Sequence, residues 1–215
     1  MNHLKTMLLP FLLLLISGCE SQRFDPDNIC SIYKMNPDWE KEVVRAEQKW
    51  GIPQEVIMAV VRHESGFDGD VRAPRRHYLG FIPGERLSSA YGYAQALDMT
   101  WREYQEKTDS NDAERDDFAD AVDFVGWYLN RTHRSLKIPR EDAYNLYLAY
   151  HEGHRGFLSR EYENHPRLMK VAKWVEETSN SYRSQLKKCR SRSSDSGKKK
   201  REKRFSLKIN DGLPN

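Results

Sequence analysis

The amino-acid sequence predicts an all-α domain, and three observations predict it. Apolar residues recur at i, i+3 and i+4 spacing through several long segments, the period of a helix with one buried face. Cap residues or prolines stand where those segments begin. No segment alternates convincingly between apolar and polar residues, and there is no internal repeat. Roughly 160 residues of such sequence suffice for one domain around one core.

Taken in order, Asn36-Pro37 reads as an N-cap with proline at the first helical position, and the helix runs to Trp50 with Gly51 after it. Pro53 opens the next helix, which ends in Arg62-His63-Glu64-Ser65-Gly66-Phe67. Asp98 is an N-cap candidate before Met99 to Lys107. Phe118, Ala121, Val122, Val125 and Leu129 form the stripe of a long helix. Pro139 opens another, with Ala143, Leu146, Tyr147 and Tyr150 on one face. Pro166 starts the last, whose stripe is Leu168, Val171, Ala172, Val175, Tyr182 and Leu186. The exception is the stretch from Gly66 to Tyr91, long for a connection in a compact domain. It carries Pro74, Pro83, four glycines and the arginines Arg72, Arg75, Arg76 and Arg86. Such a loop either borders a binding groove or is an irregular surface insertion.

Within these elements Glu64 is oddly placed. Val60, Ile57 and Val56 precede it at i−4, i−7 and i−8, so it continues an apolar helical stripe. A glutamate on a core-facing stripe loses hydration, which raises its pKa and suits a general acid at neutral pH. The alternative is a frayed helix end whose His63, Glu64 and Ser65 face water.

The chain ends differ in kind from its middle. Lys5 followed by the apolar run Met7 to Ile16 is a targeting segment, too short to span a bilayer as a mature helix. It closes in Leu15-Ile16-Ser17-Gly18-Cys19, which resembles a bacterial lipobox. That resemblance implies a signal peptide over residues 1–18, lipidation of Cys19 and anchorage to a membrane. Glu20 after the Cys favours the periplasmic face of the outer membrane. Residues 19–35 read as a tether and residues 36–189 as the folded domain. Export places Cys30 and Cys189 in an oxidising compartment, where one disulfide would tie the domain's ends together; two lone thiols are the alternative. Residues 190–215 read as a disordered basic tail, and the formal net charge of +3 is concentrated there. Nucleic acid is a poor partner for an exported chain of this kind.

Three segments share a resemblance. Glu64-Ser65-Gly66-Phe67 resembles the E-S-x-F motif of lytic transglycosylases with the lysozyme-like soluble-lytic-transglycosylase (SLT) domain. Gly92-Tyr93-Ala94-Gln95 resembles their G-L-M-Q segment, and Ala149-Tyr150-His151-Glu152-Gly153 their A-Y-N-x-G segment. The resemblance implies a single lysozyme-like catalytic domain, with the long loop bordering a groove for peptidoglycan glycan strands. It implies no cofactor and no metal, and it names no protein partner. By the same resemblance Glu64 is the catalytic acid and then base, with Ser65 and Tyr150 supporting it. Gln95, Tyr91, Tyr93 and His151 are the candidates to touch substrate. Ser65 is alternatively a helix-end serine bonded to its own backbone, and Tyr150 is also on a core stripe. Two departures from the pattern stand out: Tyr93-Ala94 replaces Leu-Met, and His151 replaces Asn.

Rival chemistries have sequence handles. His151 and His154 are spaced i, i+3 but do not complete H-E-x-x-H, so a zinc site would need ligands from elsewhere. A hydrolytic muramidase would need a second carboxylate to activate water, for which Asp68, Asp70 and Glu152 are candidates. A peptidoglycan-binding lipoprotein without activity is the non-enzymatic alternative.

Overall fold

The computed structural model describes residues 24–78 and 82–210, with side chains described for 24–76 and 84–189. Cys19 and the signal segment lie outside the described residues. The order is α1 (Ile29–Met35), α2 (Pro37–Trp50), α3 (Gln54–Ser65), strands β1 (Arg75–Tyr78) and β2 (Ile82–Arg86), α4 (Asp98–Thr108), α5 (Phe118–Leu136), α6 (Ala143–Leu158), a 3₁₀ turn at Glu161–Asn164, and α7 (Pro166–Asn210).

Helix α3 is the axis of the fold. Every residue from Val56 to Val61 is fully buried, so this helix is enclosed on all sides by α2, α5 and α7. Its first turn places polar groups inside, and each is answered. Gln54 Nε2 donates to Glu47 at 2.8 Å, and the buried Glu55 accepts from Arg183 Nε on α7 at 2.7 Å. Beyond it, α2 packs along α5, where Trp39 stacks on Phe118 with ring centroids 3.9 Å apart. The Asp123 carboxylate on α5 accepts from Trp50 Nε1 (2.9 Å) and from the Tyr104 hydroxyl (2.8 Å), joining α2, α4 and α5.

Several sequence expectations require correction. The stretch read as a tether contains α1, whose Ile29 and Ile32 are fully buried. Asn28 caps it, accepting from Ser31 N at 3.1 Å, and Gln185 on α7 accepts from Ile29 N at 2.8 Å. The folded domain therefore begins with α1. The Cys30–Cys189 disulfide that the sequence leads one to expect is formed, joining α1 to α7 with sulfurs 1.99 Å apart. The long loop contains the β1–β2 hairpin, paired Arg75 with Arg86 and Tyr78 with Ile82 around an irregularity before His77. Helix α6 begins at Ala143, capped by Asp142 accepting from Asn145 N at 3.0 Å, and not at Pro139. Asp98 is the first residue of α4, after Leu97 in the cap position, and pairs with Arg115 at 2.9 Å. Finally, α7 continues as helix through Asn210, where the composition suggests a disordered tail. Extending a formed helix needs no new nucleus, and Lys, Arg and Glu are good helix formers.

Candidate active site

Glu64 sits in the last turn of α3, where the enclosed helix emerges into a cleft. Its C-cap is Gly66 in the left-handed conformation, whose N–H reaches the Arg62 carbonyl. The Glu64 side chain keeps only partial contact with solvent. Burial pushes its pKa up from 4.5 to about 7, and a hydrogen bond from the Tyr147 hydroxyl opposes part of that rise. Beside it, His63 is pushed down, first by burial and then by the charge of His151. Ser65 does not bond Glu64: its hydroxyl donates to Val61 O and accepts from Phe67 N, both at 3.2 Å. It fixes the turn that follows the acid, as the helix-end alternative has it.

The segment Gly92–Leu97 forms the opposite lip. Gly92 adopts φ +78°, and a Cβ there would lie 2.0 Å from the Arg115 carbonyl oxygen, so no other residue fits this approach. Gln95 also has positive φ. Both hydrogens of its amide nitrogen are used on backbone carbonyls, Val71 O at 2.9 Å and Gly92 O at 2.8 Å. Two carbonyls on one side fix the amide's orientation, leaving the Gln95 oxygen as the acceptor on offer. The Val71 carbonyl, which also receives Gly92 N at 3.0 Å, ties the long loop to this lip.

Helix α6 supplies the third wall. Tyr150 does not bond Glu64. Its hydroxyl donates to Ala94 O at 2.6 Å and so clamps the Gly92–Gln95 lip to α6. The partner of Glu64 is Tyr147, one turn earlier on the same face, a residue that the sequence offers only as core. The sequence signal for it is that it shares the Tyr150 stripe at i−3. His151 is largely exposed, with its Nδ1 3.4 Å from Glu152. At Gly153 the helix breaks (φ 71°, ψ 166°), a conformation that glycine alone adopts without strain, and the break opens the wall after Glu152. His154 turns away to Thr132, 2.9 Å distant.

Two cavities meet at Glu64, together forming a cleft. One, of ≈ 360 Å³, runs past Leu97, Phe124, Tyr128 and Tyr150. The other, of ≈ 520 Å³, runs past His63, Tyr147, His165 and Arg167. Glu64, Gln95, His151 and Glu152 line both. Tyr91 and Tyr93 line neither. Tyr91 donates to Asp116 at 2.7 Å with Arg72 stacked on its ring, and Tyr93 packs edge-on against Trp39 and Phe118. Both are structural supports of the lip. Asp68 and Asp70 also stay outside, Asp68 accepting from Asp70 N at 2.9 Å. A larger cavity of ≈ 630 Å³ lies between Trp50, Trp127 and Arg131. Its carboxylate, Glu103, is paired with Arg131 at 2.7 Å, so volume alone does not mark the chemistry.

Glu64 is thus a half-enclosed acid, its pKa raised by burial, in a cleft of a lysozyme-like helical domain. The sequence profile of the family described as Transglycosylase SLT domain matches residues 7–189, and the chain belongs to that family. The activity that goes with the family is lytic transglycosylation of peptidoglycan. No curated protein matches the chain.

Proposed function

We propose that this protein cleaves the β-1,4 bond between N-acetylmuramic acid and N-acetylglucosamine in peptidoglycan and releases 1,6-anhydro-muramic ends. The observation that carries this reading is Glu64 at the meeting point of the two cavities, with its pKa raised to about 7 by burial. In its protonated form it gives its proton to the glycosidic oxygen as the bond breaks. The muramic acetamido carbonyl supports the positive charge at the anomeric carbon, so no protein nucleophile is needed. Glu64, now ionised, takes the proton of the C6 hydroxyl as that oxygen closes the anhydro ring. An acid near pKa 7 is suited to both transfers at neutral pH.

The neighbours support this sequence. The Gln95 oxygen accepts from the acetamido N–H, which turns the acetamido carbonyl toward the anomeric carbon. Tyr147 stabilises the ionised Glu64, and Tyr150 holds the Gln95 lip in place. His151 contacts the sugar from the exposed rim.

Hydrolysis is the second reading, and one observation favours it: Glu152 is a second carboxylate lining both cavities. It would activate water, giving a product one water heavier. Cys19 is proposed as the lipidated residue that holds the enzyme at the periplasmic face of the outer membrane. No helix among the described residues is long and apolar enough to cross a membrane. The test is turbidity loss of purified sacculi with wild type and Glu64→Gln. Wild type clears them and the variant leaves them intact; equal clearing by both, or by neither, overturns the reading.

A further inference from the structure

Helix α7 does not stop where the domain does. Among the described side chains, the last buried one on α7 is Leu186, and Cys189 is joined to Cys30, yet the helix runs on to Asn210. The family profile ends at residue 189, so this extension lies outside the part of the chain that the family covers. Its composition is opposite to that of the domain. Residues 190–208 hold nine lysines and arginines against two acids, Asp195 and Glu202, whereas residues 24–189 carry a net charge of −4. Within the extension Lys199 and Lys203, and Lys200 and Arg204, stand four apart along the helix, a spacing at which like charges repel. A surface of opposite charge relieves that repulsion, and a continuous helix carries the cations off the acidic domain instead of folding them back onto it.

The disulfide decides where the extension emerges. It puts the start of the extension beside α1, and Cys19 stands only eleven positions before Cys30. Eleven residues reach at most about 40 Å, and the helix beyond Cys189 is itself about 30 Å long. A membrane that holds Cys19 is therefore within reach of the extension. We infer that residues 190–208 are a membrane-contact helix whose lysines and arginines bind the anionic phospholipid headgroups of the membrane that holds Cys19. The choice of a membrane as partner rests on the proposed lipidation of Cys19. Anionic headgroups attract a basic segment through charge alone, without a pocket and without a fixed order of residues, which suits a run such as Lys198-Lys199-Lys200-Arg201. One attachment point leaves the domain free to turn about it; a second contact along the extension limits that turning.

The test uses residues 20–215, which hold every element from α1 to α7 and lack only the signal segment and Cys19, so that no acyl chain contributes. Co-sedimentation measures binding to phosphatidylcholine vesicles, to vesicles of phosphatidylcholine with phosphatidylglycerol, and to purified sacculi. Binding is expected to the anionic vesicles only weakly shared by the neutral ones, and it should fall as salt is added. Each cation near such a surface strengthens binding about fivefold, so replacing Lys198, Lys199 and Lys200 together by Gln should weaken it about a hundredfold. Replacing the same three by Arg should leave it unchanged. Equal binding to neutral and anionic vesicles, or undiminished binding by the Gln variant, overturns the inference. A loss in the Gln variant that falls on sacculi and spares vesicles also overturns it, and makes wall polymer the partner. The mass of the full chain recovered from bacterial membranes reads the anchor separately: an unacylated Cys19 overturns the proposed lipidation, while the vesicle and sacculus results alone decide the extension.

Discussion

Replacing Glu64 by glutamine should make the folded protein more stable at alkaline pH while abolishing activity. In the unfolded chain Glu64 titrates near 4.5, and in the folded state near 7. Between these values the unfolded state holds fewer protons than the native state, so the stability contributed by this group falls as pH rises through that window. Above it the wild type carries a penalty of about 3 kcal/mol, from about 1.36 kcal/mol for each unit of displacement. Partial solvent contact of the side chain makes that an upper value. The substituted glutamine has no proton to lose and escapes the penalty. Urea denaturation followed by far-UV circular dichroism at about pH 4 and about pH 8 reads the difference. The two proteins should be nearly equal at the acid pH, with the variant ahead by up to about 3 kcal/mol at the alkaline one. A gap that does not change with pH, or a variant less stable at the alkaline pH, would refute burial as the cause of the raised pKa.

Other outcomes follow from the same contacts. Tyr147→Phe removes the hydrogen bond that holds the Glu64 pKa down, so the alkaline limb of the pH–rate profile should move up by roughly half to one pH unit. An unmoved limb would remove Tyr147 as the partner. Tyr150→Phe strands the buried-side carbonyl of Ala94, costing about 1–2 kcal/mol in denaturation and lowering kcat through a loosened lip. Gly92→Ala should cost more, about 3 kcal/mol or above, because a Cβ collides with the Arg115 carbonyl at positive φ. Reducing the Cys30–Cys189 bond, which closes a loop of sequence separation 159, should lower stability by about 3–5 kcal/mol in denaturant titrations.

What was legible in the sequence was what a local period encodes. The Phe118–Leu129 and Leu168–Leu186 stripes, and the Gly51 stop after Trp50, needed only neighbours within a few turns. The apolar stripe leading to Glu64 was also readable, but the burial of α3 on every side was not, because it depends on α2, α5 and α7 closing around it. Helix α1 escaped because it is too short for a period to declare itself. Its burial depends on α7, in contacts such as Ile29 with Gln185, 156 positions apart. The hairpin escaped because Arg75 and Arg76 are exposed, so no buried face imposes an alternating pattern. At the site, residue types were readable but their partners were not. Tyr147 and Tyr150 share one face, and only the position of the Gly92–Gln95 lip sends Tyr150 to Ala94 while Tyr147 meets Glu64. Tyr91 and Tyr93 resemble sugar platforms in sequence, yet Asp116 and Trp39 claim them.

Mass spectrometry of the muropeptides released from purified sacculi, run beside a Glu64→Gln control, tests the role of Glu64 most directly. Anhydro-muropeptides, one water lighter than hydrolysis products, are expected from the wild type and none from the variant. Hydrated reducing ends from the wild type would contradict transglycosylation, and anhydro products persisting in Glu64→Gln would contradict the role of Glu64.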